Sequence, residues 1–181
     1  MIMNRASLSS RVCYSGGFPV SRKIGNLMQY KMRRNDRAIA ESDAKEILQN
    51  GVFGILSTVS SDGQPYGVPI NYFFLKNHIY FHSAIEGHKI ENIKENDKVS
   101  FCVVGKTYVL PDKFSTKYES VIVFGRAIEI EGDEKREALL GLINKYSQGF
   151  IEDGLKYIDK ASNKAKAYKI LIESITGKAR K

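Results

Sequence analysis

The stretch Tyr80-Phe81-His82-Ser83-Ala84-Ile85-Glu86-Gly87-His88-Lys89 passes from strand-forming residues through a turn into helical spacing, marked by Ile90 and Ile93. A turn that brings backbone N–H groups, a hydroxyl and a Lys to the start of a helix suits an anion, most often a phosphate. Residues 83–89 are therefore the candidate anion-holding turn. The alternative is an ordinary solvated turn before a surface helix. No G-x-G-x-x-G follows a strand and no G-x-x-x-x-G-K-[ST] occurs, so neither familiar nucleotide loop would hold a phosphate here.

Upstream, 78–83 reads as a strand, Lys76-Asn77 as a tight turn and 66–75 as a strand. Asp62-Gly63 is the hairpin turn joining that strand to another at 52–59. Pro65 and Pro69 cannot donate ladder hydrogen bonds, which puts Pro69 on an edge, or at an interruption where a ligand meets backbone. Ser42 as N-cap and Gly51 as C′ residue frame a helix at about 42–50. Downstream come a helix at about 87–95, a strand at 98–104 and a loop at 105–118. A strand at 120–131 with a bulge at Gly125 follows, then helices at 133–147 and about 152–165, and a closing strand at 167–175. Six strands with mostly short connections predict a mainly β, antiparallel architecture: a small closed or split barrel with peripheral helices.

With 181 residues the chain has room for one domain with a full core. It divides into a basic tail at 1–31, expected to be poorly structured, and a domain at 32–181. The formal charge of +8 invites a nucleic-acid reading, which its distribution opposes. The first 35 residues hold seven basic side chains and no acidic one, whereas the other 146 carry 21 basic and 20 acidic. The body is near neutral, so no nucleic-acid partner is expected. The tail reads as an over-extended start, or else as a transit-type segment. No apolar run is long enough to span a bilayer, so no membrane partner is expected either. Cys13 and Cys102 make no metal spacing and no disulfide framework, which suits a reducing, cytoplasmic setting.

The three histidines, His78, His82 and His88, look at first like metal ligands. His78 and His82 lie on one strand, however, and four residues of strand span roughly 13 Å, too far to share an ion. No metal is expected. His82 alone reads as a satisfied strand histidine, or as a group that donates a proton or hydrogen bond to a substrate. No Ser or Cys stands in an activating context, which weighs against a hydrolase.

Further segments carry a resemblance: Met32-Arg33-Arg34, Gly54-Ile55-Leu56-Ser57-Thr58, Pro65-Tyr66-Gly67-Val68-Pro69-Ile70-Asn71, Tyr118-Glu119-Ser120 and Ile175-Thr176-Gly177-Lys178. With the 80–89 stretch, and in this order, they resemble the FMN-binding split-barrel proteins related to pyridoxamine 5′-phosphate oxidase. Within that family the likeness is to the 5-nitroimidazole reductase-like, antibiotic-resistance branch. The resemblance implies a six-stranded antiparallel FMN-binding split barrel that forms a homodimer with FMN at the interface. It implies that Ser83 and Lys89 bind the FMN phosphate, with His88 where relatives often carry Arg. Val68, Pro69, Ile70 and Asn71 would run along the flavin ring, Tyr118 and Ser120 would approach from across the dimer, and His82 would be the catalytic residue. The implied activity is electron transfer from a nicotinamide nucleotide to a small nitroaromatic-like acceptor. The Arg-x-x-Leu-Leu-Lys opening of true pyridoxamine-phosphate oxidases is missing, which speaks against vitamin B6 oxidation. The alternative function is a non-catalytic dimer that binds or stores a flavin, haem or B6 compound.

Overall fold

The computed structural model describes residues 32–181 and, before them, two short antiparallel strands, β1 (Lys23–Ile24) and β2 (Leu27–Met28). The expectation of a poorly structured tail at 1–31 otherwise lies outside the described residues. The chain divides after Asn35, and the fold that follows belongs to the unit Asp36–Lys181. Its elements are β3 (Ala38–Ile39), α1 (Glu41–Asn50), β4 (Gly54–Val59), β5 (Pro65–Ile70), β6 (Phe73–Leu75) and β7 (His78–Ser83). They continue as α2 (His88–Glu95), β8 (Lys98–Leu110), β9 (Ser115–Ile130), α3 (Gly132–Tyr146), α4 (Ile151–Ala161) and β10 (Lys166–Arg180).

Eight strands form one sheet in the order β5-β4-β8-β9-β10-β7-β6, with β3 paired to β10 and every ladder antiparallel. The two ends of that path, β5 and β6, are consecutive in the chain and separated only by Asn71 and Tyr72. The sheet therefore curls back on itself with no ladder joining its ends, an open barrel with helices around it. Alternating residues of β4, β7, β8, β9 and β10 fill the inside, among them Leu56, Phe81, Phe101, Val103, Val121, Val123, Tyr168 and Ile170. Tyr72 meets Phe101 edge-on at 5.0 Å, and Phe81 stacks on Tyr168 at 5.2 Å. α2 lies over β4 with Ile90 and Ile93 buried, and its buried Asn92 donates to Thr58 Oγ1 at 2.9 Å. On the outside, Ala138 of α3 covers Tyr80, Ile130 and Ala167.

The strand count exceeds the expected six because the run at 66–75 is two strands and β3 adds a short pairing. The run breaks where buried Tyr72 donates its hydroxyl to Leu48 O at 2.6 Å and its N–H to Tyr146 Oη at 3.0 Å. Those bonds turn the backbone out of the ladder. Residues 105–118 are not a loop: β8 and β9 continue as a long hairpin turning at Pro111–Lys113. Ala40, not Ser42, is the N-cap of α1, and Ser42 sits inside the first turn. Gly51 is extended rather than left-handed; a Cβ there would stand 2.5 Å from Tyr72 Oη. The bulge lies not at Gly125 but opposite it, between Ile172 and Ser174 on β10. The Lys76-Asn77 turn has positive φ at both residues, 49° and 63°, the geometry of a tight hairpin.

Candidate functional site

Ser83 ends β7 on its inward face, 5% exposed, and its Oγ is buried without a hydrogen-bond partner. The chain then turns at Gly87, whose φ of 130° is a backbone state that L side chains rarely adopt. Gly87 is the N-cap of α2 and brings no side-chain cap; its carbonyl accepts from Ile90 and Glu91. The first two amides of the helix, those of His88 and Lys89, meet no protein acceptor among the described residues. Half-buried Lys89 forms no ion pair with a carboxylate there. An unsatisfied hydroxyl, uncapped helix amides and an unpaired ammonium thus meet at one short turn, the chemistry of an anion site.

His82 precedes Ser83 on the opposite face of β7, across from Ala167. The residue is exposed, but surrounding protein partly desolvates its ring, and this, with the nearby Lys89 ammonium, holds it below the usual histidine range. At neutral pH the imidazole is therefore uncharged. It can donate one hydrogen bond and accept another without carrying a ready proton.

His88, exposed at the start of α2, bonds through Nε2 to Ser60 Oγ at 2.9 Å and lies against the Tyr66 ring, 4.3 Å between centres. Sequence reasoning missed Ser60 and Tyr66 because nothing local ties the β4–β5 hairpin to α2. The packing of Asn92 on Thr58 makes that connection.

Val68, Pro69 and Ile70 lie on β5, an edge strand of the sheet path, which accommodates Pro69. Val68 and Ile70 pack toward the core, whereas Pro69 and Asn71 are exposed. Pro69 belongs to an outer face that runs across Ile55, Cys102 and Ile122. That face is apolar and uncovered: Ile122 is 40%, Phe124 46% and Val104 61% exposed.

Tyr118 and Ser120 stand elsewhere. They pair with Arg180 and Lys178 near the end of β10, whereas Ser83 pairs with Lys166 at its beginning. Twelve residues of strand, on the order of 40 Å, separate the two places. Within one chain His82, Ser83, His88 and Lys89 lie along one short turn, with Tyr66 of β5 against His88, and Tyr118 and Ser120 stand apart from them. Among the described residues no group of three or more His, Cys, Asp or Glu could hold a metal ion. No described helix is long and apolar enough to cross a membrane.

A sequence model of the pyridoxamine 5′-phosphate oxidase family matches residues 40–179. No curated protein sequence matches the chain. Among solved structures, the chain is similar to a candidate 5-nitroimidazole antibiotic resistance protein of Bacteroides thetaiotaomicron. The identity is 27% and the TM-score 0.68, over 78% of this chain and 86% of that one. A FAD-binding protein of Mesorhizobium loti is 25% identical with a TM-score of 0.57, over 80% of this chain and 98% of that one. A conserved hypothetical protein of Mycobacterium tuberculosis shares the fold at 18% identity and a TM-score of 0.71, over 82% and 90% of the two chains.

Proposed function

The chain belongs to the pyridoxamine 5′-phosphate oxidase family, and from that membership we propose an FMN-dependent oxidoreductase of the nitroimidazole reductase-like type. Its electron donor is a nicotinamide nucleotide and its acceptor a small nitroaromatic-like electrophile. The observation that carries the reading is the buried, unpartnered Ser83 hydroxyl beside the uncapped start of α2 and the unpaired Lys89. A phosphate dianion suits that set, because it accepts from hydroxyl, amide and ammonium together. The likeness to the candidate 5-nitroimidazole resistance protein supports the acceptor class, and that to the FAD-binding protein supports a flavin.

A bound flavin supplies the two-electron redox chemistry. The chain's own groups hold, orient and shield. Ser83, Lys89 and the first amides of α2 hold the phosphate, and His88, steadied by Ser60 and Tyr66, flanks it. The edge of β5 at Val68, Pro69, Ile70 and Asn71 offers backbone groups to the ring. His82, uncharged, hydrogen-bonds the acceptor and relays a proton to it. The apolar outer face bearing Ile122 and Phe124 supports a homodimer, in which Tyr118 and Ser120 come to the cofactor from the second copy.

The test is the visible spectrum of the purified protein, with identification of any chromophore released on denaturation. FMN near one per subunit is expected; a colourless protein that FMN cannot reconstitute overturns the reading. His82→Ala should keep the flavin and lose most turnover with a nicotinamide nucleotide and a nitroaromatic, and unchanged turnover removes His82 from the chemistry. A flavin that no nicotinamide nucleotide reduces and no acceptor reoxidises leaves the non-catalytic binding dimer in its place.

A further inference from the structure

His78 opens β7 straight after the tight turn at Lys76 and Asn77. The residue is half-buried, and its Nδ1 is enclosed without a hydrogen-bond partner. Its ring shares the outer face of β7 with Tyr80, which stands edge-on to it at 6.3 Å between centres. Across the ladders on that face lie Leu171 and Lys169 of β10 and Leu75 and Phe73 of β6. α3 closes over them. Its Glu134 accepts from Lys169 Nζ at 2.6 Å and from Tyr80 Oη at 3.3 Å, Ala138 packs with Tyr80, and Gly141 abuts Phe73. One turn after Glu134, Glu137 pairs with exposed Lys76 at 3.7 Å. The titratable and charged groups around His78 are thus Tyr80 on its own strand, Lys169 on β10, Glu134 and Glu137 on α3, and Lys76 in the turn.

With a neutral imidazole the charges at the centre of this cluster balance: one carboxylate, Glu134, meets one ammonium, Lys169, whose side chain is 16% exposed. Desolvation and the Lys169 charge, opposed by Glu134, hold the His78 ring below the ordinary histidine range, so it is uncharged at neutral pH. A proton on His78 upsets that balance. Two cations then share one carboxylate in a half-buried place, and the enclosed Nδ1 carries an N–H that meets no acceptor. Lifting the first turns of α3 returns water to the ring and lets Glu134 turn from one cation to the other. At its far end α3 carries Tyr146, whose hydroxyl accepts from the Tyr72 N–H where β5 gives way to β6.

We infer that His78 is an acid-sensitive latch: while neutral it leaves Glu134 bound to Lys169 and Tyr80, holding α3 on the sheet, and on taking a proton it loosens α3. The latch stands on the cluster itself; its effect on a flavin beside β5, through Tyr146 and Tyr72, rests on the oxidoreductase reading above. It lies at the opposite end of β7 from the turn that begins at Ser83. The direction of the response follows from linkage. A ring that resists protonation in the closed state gives that state its full advantage above the ordinary histidine value, and the advantage is lost as pH falls through the ring's own lowered value.

The test is amide hydrogen exchange of the purified full-length protein from about pH 7.5 to about pH 5, corrected for the intrinsic pH dependence of exchange, with the His78 ring followed by NMR. In wild type the opening of α3, relative to that of the paired strands β8 and β9, should rise about threefold or more across that range, and no more than about tenfold per pH unit for one proton. In His78→Phe, which keeps an aromatic ring and takes no proton, it should stay within about twofold across that range. Lys169→Met removes the repelling cation and frees Glu134 for His78, so both the ring titration and the exchange step should move to higher pH. A contact that serves packing alone would not move them. An α3 whose protection ignores pH in wild type, an equal acid response in His78→Phe, or a His78 ring that titrates at or above the ordinary value overturns the latch. Should His78→Phe fail to fold, the ring titrations of wild type and Lys169→Met decide. All these readings are made without turnover, so a protein that reduces no acceptor removes the oxidoreductase reading and not the latch.

Discussion

Ser83 carries a hydroxyl that the fold buries and leaves without a partner, and such a group costs about 1–3 kcal/mol. Ser83→Ala should therefore raise the stability of the flavin-free protein by about 1 kcal/mol in urea unfolding while weakening FMN binding about tenfold. A variant that loses stability and keeps full flavin affinity would mean that the hydroxyl serves the core alone. Lys145, in the last turn of α3, shows a second residue-scale tension. Its ammonium is buried without a hydrogen-bond partner, 4.0 Å over the Tyr72 ring, and desolvation pushes its pKa down to about 8. Below pH 8 the amine is charged in both folded and unfolded chains, and the folded state bears the cost. Between about 8 and the ordinary lysine value only the unfolded chain keeps the proton, so this group adds stability as pH rises. Lys145→Met should stabilise the protein by roughly 1–2 kcal/mol at pH 7, after discounting for partial exposure, and the gain should shrink toward pH 10. A gain that does not vary with pH would trace instead to packing.

The elements around the site are held by close approaches more than by propensity. Gly141 of α3 faces Phe73 of β6 so closely that an added Cβ would stand 2.3 Å from the ring. Gly141→Ala should therefore cost about 1–3 kcal/mol, read by chemical denaturation. Lifting α3 would also disturb Tyr146, whose hydroxyl lies 2.6 Å from Val52 O and accepts from the Tyr72 N–H where β5 gives way to β6. A neutral outcome at Gly141 would show that α3 can shift without loss. The β4 and α2 segments were legible because each has one buried and one more exposed face, which writes a period into the sequence; β7, buried on both faces at Ile79, Tyr80 and Phe81, was legible as a short run of strand formers after a tight turn. The outer parts of β8 and β9 were not: both faces are largely exposed from Lys106 to Tyr118, so no alternation marks them as strand. Only pairing of the two arms makes that hairpin.

At the scale of the whole molecule, the described residues leave an apolar outer face open, and Phe124 sits within it at 46% exposure. On the proposal that a second copy covers this face, Phe124→Glu should halve the mass in sedimentation while leaving the β-sheet signal in circular dichroism unchanged. A mass that Phe124→Glu leaves unchanged would remove this face as the proposed interface. The sequence by itself determined the family, the antiparallel β class, and the turn at Ser83, Gly87 and Lys89, because these rest on residues adjacent in the chain. Tertiary structure alone decided that Ser60 and Tyr66 flank His88, and that Tyr118 lies among Arg37, Lys178 and Arg180. Those contacts join residues 22 to 81 positions apart, and their identity depends on sheet register and helix packing. A hydroxyl or an ammonium gives no local sign of which distant partner the fold will bring to it, or that it will bring none.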